Sequence, residues 1–313
     1  MSKLLKIFVI FLLLQKQHHS QQLSTRTATA EEDSSNYPTY EDKDKFIMLM
    51  SGGYRPDTQF LSKYMVSIRT AKPTAYFGDN HFCSGTIISA RLIVTAAHCI
   101  KDSNRIVTRP RRLVVVAGTP NRLIKDSYTV ELDVEQVLPH ENYIRKGVHD
   151  IALLRLKTPF PDDNHRINII PLRKKYTLPG ENCTAVGWGQ LFYRGPFASD
   201  PVYVDLVILK HSVCREYYPS SYGEGMLCGA NMEEEHAHAC GGDSGGPLIC
   251  DHKLAGIVSW GARCEPPIHA TVFTDVFYHL AWIEANVSTK LKAFSCCTII
   301  LIVIWFRHLI YCH

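Results

Sequence analysis

Cys240-Gly241-Gly242-Asp243-Ser244-Gly245-Gly246-Pro247 is the stretch whose composition folding alone explains least. Four glycines surround one serine, with an acid before it and a proline closing the turn. Glycine is costly to order, so this density implies unusual dihedrals or very close approach by another group. A serine held there can be a nucleophile. Gly-Asp-Ser-Gly is equally ordinary turn chemistry, so partners elsewhere in the chain decide between the two.

A serine hydroxyl is a poor nucleophile unless a general base takes its proton, and that base works best when a buried carboxylate fixes its tautomer. Leu92-Ile93-Val94-Thr95-Ala96-Ala97-His98-Cys99 ends an apolar run with two small residues and a histidine, beside a cysteine that can anchor it. Val148-His149-Asp150-Ile151-Ala152-Leu153-Leu154 puts an acid directly ahead of an apolar strand. Each is weak alone, since a histidine near a core is usually a satisfied side chain and an acid often opens a strand.

Taken together, Thr95 to Cys99, Asp150 to Leu154 and Gly242 to Pro247 resemble the signatures of the chymotrypsin-like (trypsin family) serine endopeptidases, in the same order. The resemblance covers about residues 50–288. It implies His98 as general base, Asp150 as its orienter and Ser244 as nucleophile, with an oxyanion hole from the backbone N–H groups of Gly242 and Ser244. It makes Ser259-Trp260-Gly261 the edge on which an extended peptide pairs. It also implies an all-β fold of two antiparallel six-stranded barrels, about 50–165 and 166–275, followed by a helix over 276–288. The disulfides that follow from the family pattern are Cys83–Cys99, Cys183–Cys250, Cys214–Cys228 and Cys240–Cys264. Protein or peptide substrates and proteinaceous inhibitors are the partners implied, and no cofactor or metal.

Two positions depart from that pattern. In the family, cleavage frees a branched N-terminus whose ammonium pairs with the acid before the nucleophile, here Asp243. The matching stretch is Leu49-Met50-Ser51-Gly52-Gly53, so Met50 takes the pairing position, and Leu49 is no trypsin-type cleavage residue. A cut after Lys45 would leave Phe46 as the terminus, too early to match. The pocket position six residues before the serine, an aspartate in trypsin-like members, is His238. With Ala239 and Thr271 lining the same pocket, the expectation is a shallow site without Arg/Lys specificity. These departures keep a second reading alongside the enzyme: a catalytically silent homologue acting as a binding or regulatory protein.

The residues read independently agree with an all-β chain. Short apolar runs, among them Tyr64 to Ile68, Gly85 to Ile88, Leu113 to Ala117, Ile151 to Leu156, Val202 to Leu209 and Leu254 to Trp260, alternate with Gly, Pro and Asn-rich breaks. Leu280, Trp282 and Ile283 recur at helical spacing near the end. At 313 residues and 46% hydrophobic content a sizeable core is available. The formal charge of +4 comes without a long basic block, and Pro110 breaks the cluster Arg105, Arg109, Arg111 and Arg112, so no nucleic-acid partner is expected. Glu233-Glu234-Glu235-His236 has no second ligand cluster and reads as a solvated loop.

Eight of the 11 cysteines fall between Cys83 and Cys264, which points to disulfides in an oxidising compartment. Lys3 and Lys6 lead into the apolar run Ile7 to Leu14, as in a secretory signal over 1–20. Residues 21–49 are polar, without apolar periodicity, and read as a flexible pro-segment. Residues 289–313 hold the apolar run Ala293 to Phe306, short for a membrane span, and read as a membrane anchor or a lipid-anchor signal. Asn286-Val287-Ser288 matches the glycosylation acceptor pattern and is favoured over Asn182-Cys183-Thr184, whose cysteine is bridged in the implied pattern.

Overall fold

The computed structural model describes residues 53–56, 60–145, 147–192, 194–232, 239–261 and 270–287. The signal, pro-segment and tail readings, and with them Met50, His238 and Cys264, lie outside the described residues.

Twelve strands form two closed antiparallel barrels. The first holds β1 (Met65–Thr70), β2 (His81–Ser89), β3 (Leu92–Thr95), β4 (Leu113–Ala117), β5 (Val130–Pro139) and β6 (Ala152–Leu156), in the order β1-β2-β3-β6-β5-β4. The second holds β7 (Asn182–Gly187), β8 (Val202–Ile208), β9 (Met226–Ala230), β10 (Pro247–Cys250), β11 (Lys253–Gly261) and β12 (Thr271–Asp275), in the order β10-β11-β12-β9-β8-β7. Closure leaves no exposed sheet edge. The β-branched and leucine-rich composition of these runs suits strands buried on the barrel's inner face.

Each barrel encloses its own apolar cluster. Ile68, Ile87, Ile93, Val115 and Leu154 pack in the first, and Val204, Leu206, Leu248, Val258 and Phe273 in the second. A third cluster joins the two, with Val94, Ile151 and Leu153 meeting Ile249, Leu254 and Ile257. Ile283, from the helical residues 280–287, is buried in it as well. Among the described residues the helix begins at 280, not at the expected 276: residues 276–279 form a turn in which the Asp275 carboxylate accepts the Phe277 N–H at 2.8 Å.

Cys83–Cys99, Cys183–Cys250 and Cys214–Cys228 are formed, as the resemblance implied. Cys240 is also disulfide-bonded, and the fourth expected partner, Cys264, is among the residues not described.

Candidate active site

Strand register assembles the site. β3 ends at Thr95, paired with Ala152 at the start of β6. The chain leaving β3 turns through the short 3-10 helix Ala97–Cys99, while Asp150 lies just before β6, so His98 and Asp150 meet at one barrel end. The Cys83–Cys99 bridge ties that turn to β2.

Asp150 is buried and holds the histidine at two points. The His98 ring Nδ1 lies 2.7 Å from Asp150 Oδ2, and the His98 backbone N–H donates to Oδ1 at 2.9 Å. A carboxylate only accepts, so Nδ1 carries the proton and Nε2 keeps its lone pair. Burial alone would lower the His98 pKa, but the charge and hydrogen bond of Asp150 outweigh it and raise the ring above its ordinary value.

The second barrel fixes the acid from the other side. β11 carries a bulge between Val258 and Trp260, which leaves Ser259 out of the ladder with β12. Its Oγ donates to Asp150 Oδ2 at 2.5 Å, and Thr274 Oγ1 donates to the Asp150 carbonyl at 2.8 Å. Asp150 is therefore gripped by both barrels.

Ser244 sits partly exposed at the mouth between them, with its carbonyl accepting the Ser84 N–H at 2.8 Å and lying 3.6 Å from the Cys99 sulfur. The residue after His98 thus touches the serine's backbone. The glycines flanking it are required by space as well as by dihedral. Gly245 has φ +82°, and a Cβ there would meet Thr95 Oγ1 at 2.1 Å. Gly242 has φ +97°, and a Cβ would meet the Phe197 ring at 2.6 Å. Among the described residues the N–H groups of Gly242 and Ser244 meet no protein acceptor.

The Gly242 carbonyl is held by a buried relay that sequence reading missed. Arg69 Nε donates to Ser67 Oγ at 2.8 Å, Ser67 Oγ lies 2.9 Å from His81 Nδ1, and His81 Nε2 lies 3.2 Å from the Gly242 carbonyl. A carbonyl only accepts, so His81 carries its proton on Nε2 and accepts from Ser67 at Nδ1, while Ser84 Oγ donates to the same carbonyl at 3.2 Å. Burial, with Arg122 and Arg69 nearby, depresses His81 to about 3, and it stays neutral. No motif marks it: His81 is a lone histidine opening a strand.

Asp243 is fully buried, accepting the N–H groups of Gly189 at 2.7 Å and Cys240 at 2.8 Å. Burial pushes its carboxyl up to about 7 in spite of those two hydrogen bonds.

Ala239 and Thr271 come together: the Ala239 N–H donates to Thr271 Oγ1 at 3.2 Å, and Thr271 is buried opposite Gly261 and Gly229 in the ladders. Trp260 packs edge-on against Tyr218 with ring centroids 5.0 Å apart. It also walls a cavity of about 270 Å³ shared with His98, Tyr143, Lys101 and Arg145. Asn286 is half-buried, its side-chain amide donating to the Trp282 carbonyl at 2.9 Å. Among the described residues no helix is long and apolar enough to cross a membrane.

Comparisons with known proteins agree with this architecture. A family profile described as Trypsin matches residues 51–283. Trypsin eta of Drosophila erecta is 33% identical over 234 residues, covering 74% of this chain and 87% of that protein. Trypsin of Xenopus laevis is 30% identical over 253 residues, covering 80% and 94%. A solved structure of neuropsin, a serine protease expressed in the limbic system of mouse brain, superposes with a TM-score of 0.62 at 26% identity, covering 72% of this chain and 95% of that one. With two six-stranded barrels and a match over most of its length, the chain belongs to the trypsin family of serine proteases.

Proposed function

We propose that this protein is a secreted endopeptidase that cleaves peptide bonds through an acyl-enzyme on Ser244. The observation that carries the reading is the two-point hold of Asp150 on His98, which leaves His98 Nε2 as a base beside the serine segment. His98 takes the Ser244 proton as Oγ attacks the substrate carbonyl, then returns it to the leaving amine. The developing oxyanion is received by the N–H groups of Gly242 and Ser244, and water hydrolyses the acyl-enzyme by the same steps in reverse.

The substrate strand pairs along Ser259, Trp260 and Gly261. The primary pocket is formed by His238, Ala239 and Thr271. Without a carboxylate at position 238 it offers Arg or Lys no charge partner, and the buried Thr271 side chain keeps it shallow. Release of Met50 as a new N-terminus supplies the ammonium for Asp243. Residues 1–20 direct secretion, residues 289–313 associate the chain with a membrane, and Asn286 is the glycosylation acceptor.

The test is a peptide library digested by chain cut before Met50, with products read by mass spectrometry. Cleavage after small or polar residues, lost in both Ser244→Ala and His98→Ala, is expected. Cleavage that persists in Ser244→Ala overturns the assignment, and cleavage confined to Arg and Lys overturns the pocket.

A further inference from the structure

One residue before Asp150, and outside the machinery described above, three histidines from distant parts of the chain converge. His140, His149 and His279 each offer a ring nitrogen, all within 4.8 Å of one another. His149 Nδ1 and His279 Nε2 are 3.0 Å apart. The His140 ring stacks on His149 at 4.4 Å and stands edge-on to His279 at 5.7 Å. The only comparable group among the described residues, Cys83, His98 and Cys99, has its sulfurs locked in a disulfide.

We propose that His140, His149 and His279 form a binding site for a divalent transition metal ion of the zinc class.

The second shell is already in place for His279. Its Nδ1 donates to the Asp275 carbonyl at 2.7 Å, which fixes the tautomer and leaves Nε2 bare, as metal-bound histidines require. Two nitrogens on one tetrahedral zinc, each about 2.0–2.1 Å from it, stand about 3.3 Å apart. The present 3.0 Å separation needs only a few tenths of an ångström of widening.

Loading asks for small, local rearrangements. His149 moves its proton from Nδ1 to Nε2. His140 Nδ1 accepts the Asn142 N–H at 3.2 Å, so its Nε2 is protonated without metal. Binding through Nε2 shifts that proton to Nδ1 and gives up this one contact, which solvent replaces because Asn142 is exposed. The ring must also tilt out of its stack, a motion that the broad imidazole torsion permits.

The surroundings add a nearby carboxylate and an open side. Trp282 covers the His140 ring at 4.9 Å and donates to Glu141 at 3.0 Å, placing a carboxylate beside the cluster. His149, half-exposed, leaves a fourth position for water. Three imidazoles select zinc, cobalt, nickel or copper over calcium and magnesium, which take oxygen ligands.

A further observation marks His149. It is one of the few non-glycine residues with a left-handed backbone, at φ 60°, and its carbonyl accepts the Ile151 N–H at 2.8 Å across Asp150. Such strain persists where the surrounding structure over-determines a side chain's placement.

The test is titration of the chelator-stripped full chain with Co²⁺, read by its visible ligand-field absorption, followed by displacement with Zn²⁺. One equivalent should give an intense tetrahedral-type band that Zn²⁺ abolishes. His149→Asn, whose asparagine tolerates the left-handed backbone, should weaken binding by more than about 100-fold, as should His279→Gln. His98→Ala should leave it unchanged. Absence of the band, binding that survives His149→Asn, or loss in His98→Ala overturns the site. If His279→Gln does not fold, the half-exposed His149→Asn still decides. Every readout is independent of peptide cleavage, so failure here is separable from failure of the proposed function.

Discussion

Asp243 offers a quantitative test of the proposed pairing with a new N-terminus at Met50. Its carboxyl is fully buried, has two backbone N–H donors, and has no cation beside it among the described residues. Burial raises it from 3.8 to about 7. Between those values the folded state binds more protons than the unfolded state, so stability falls as pH rises. At 1.36 kcal/mol per pKa unit the full span corresponds to a loss of roughly 4 kcal/mol, a large fraction of a domain's stability. His81, His140 and His279, whose pKa values are lowered on folding, act in the opposite sense. The comparison must therefore cancel them.

Denaturant unfolding of uncut Ser244→Ala, measured from pH 4 to pH 8, supplies one curve, and Ser244→Ala/Asp243→Asn the other. The histidine contributions are common to both, so the difference in slope belongs to Asp243. We expect the double variant to lose several kcal/mol less over this range. Chain cut before Met50 should resemble the double variant, because an ammonium beside Asp243 favours its ionised form. Parallel curves for the two uncut variants would refute the account of Asp243 as an uncompensated buried acid.

Three further outcomes follow from the site. Asp150→Asn lets His98 adopt the wrong tautomer and should lower kcat/KM by about 10⁴-fold; because Asp150 raises His98, the acid limb of the pH–rate profile should also move down. Gly242→Ala places a Cβ at φ +97° against Phe197 and should reduce kcat by about 10²–10³-fold with a smaller change in KM. Thr271→Gly removes a buried side chain opposite Gly261 and should shift kcat/KM toward larger apolar P1 residues by about tenfold or more, read on matched peptide substrates.

Much of this was legible in the chain, and the reasons differ by element. The runs Tyr64 to Ile68, Leu113 to Ala117 and Val202 to Leu209 coincide closely with β1, β4 and β8 because their apolar faces are buried. β5 escaped notice because Glu131, Asp133, Glu135 and Gln136 dominate it, and only Val134 is fully buried. The segments around His98 and Ser244 stood out because each sets a chemically committed residue among small residues, and Asp150 because it is an acid opening an apolar run. The Ser67, Arg69 and His81 relay was not, since it depends on pairing β1 with β2 and on the approach of Gly242 from the other barrel. The histidine cluster was equally hidden: its members are nine and 130 residues apart, and only the fold brings them together.

The central claim is that Ser244 is an activated nucleophile. Incubating chain cut before Met50 with a fluorophosphonate, then mapping the adduct by mass spectrometry, tests it most directly. The account predicts near-stoichiometric labelling of Ser244, sharply slowed in His98→Ala and absent in Ser244→Ala. A folded, cut chain that leaves the reagent unreacted, or carries the label on another residue, contradicts it.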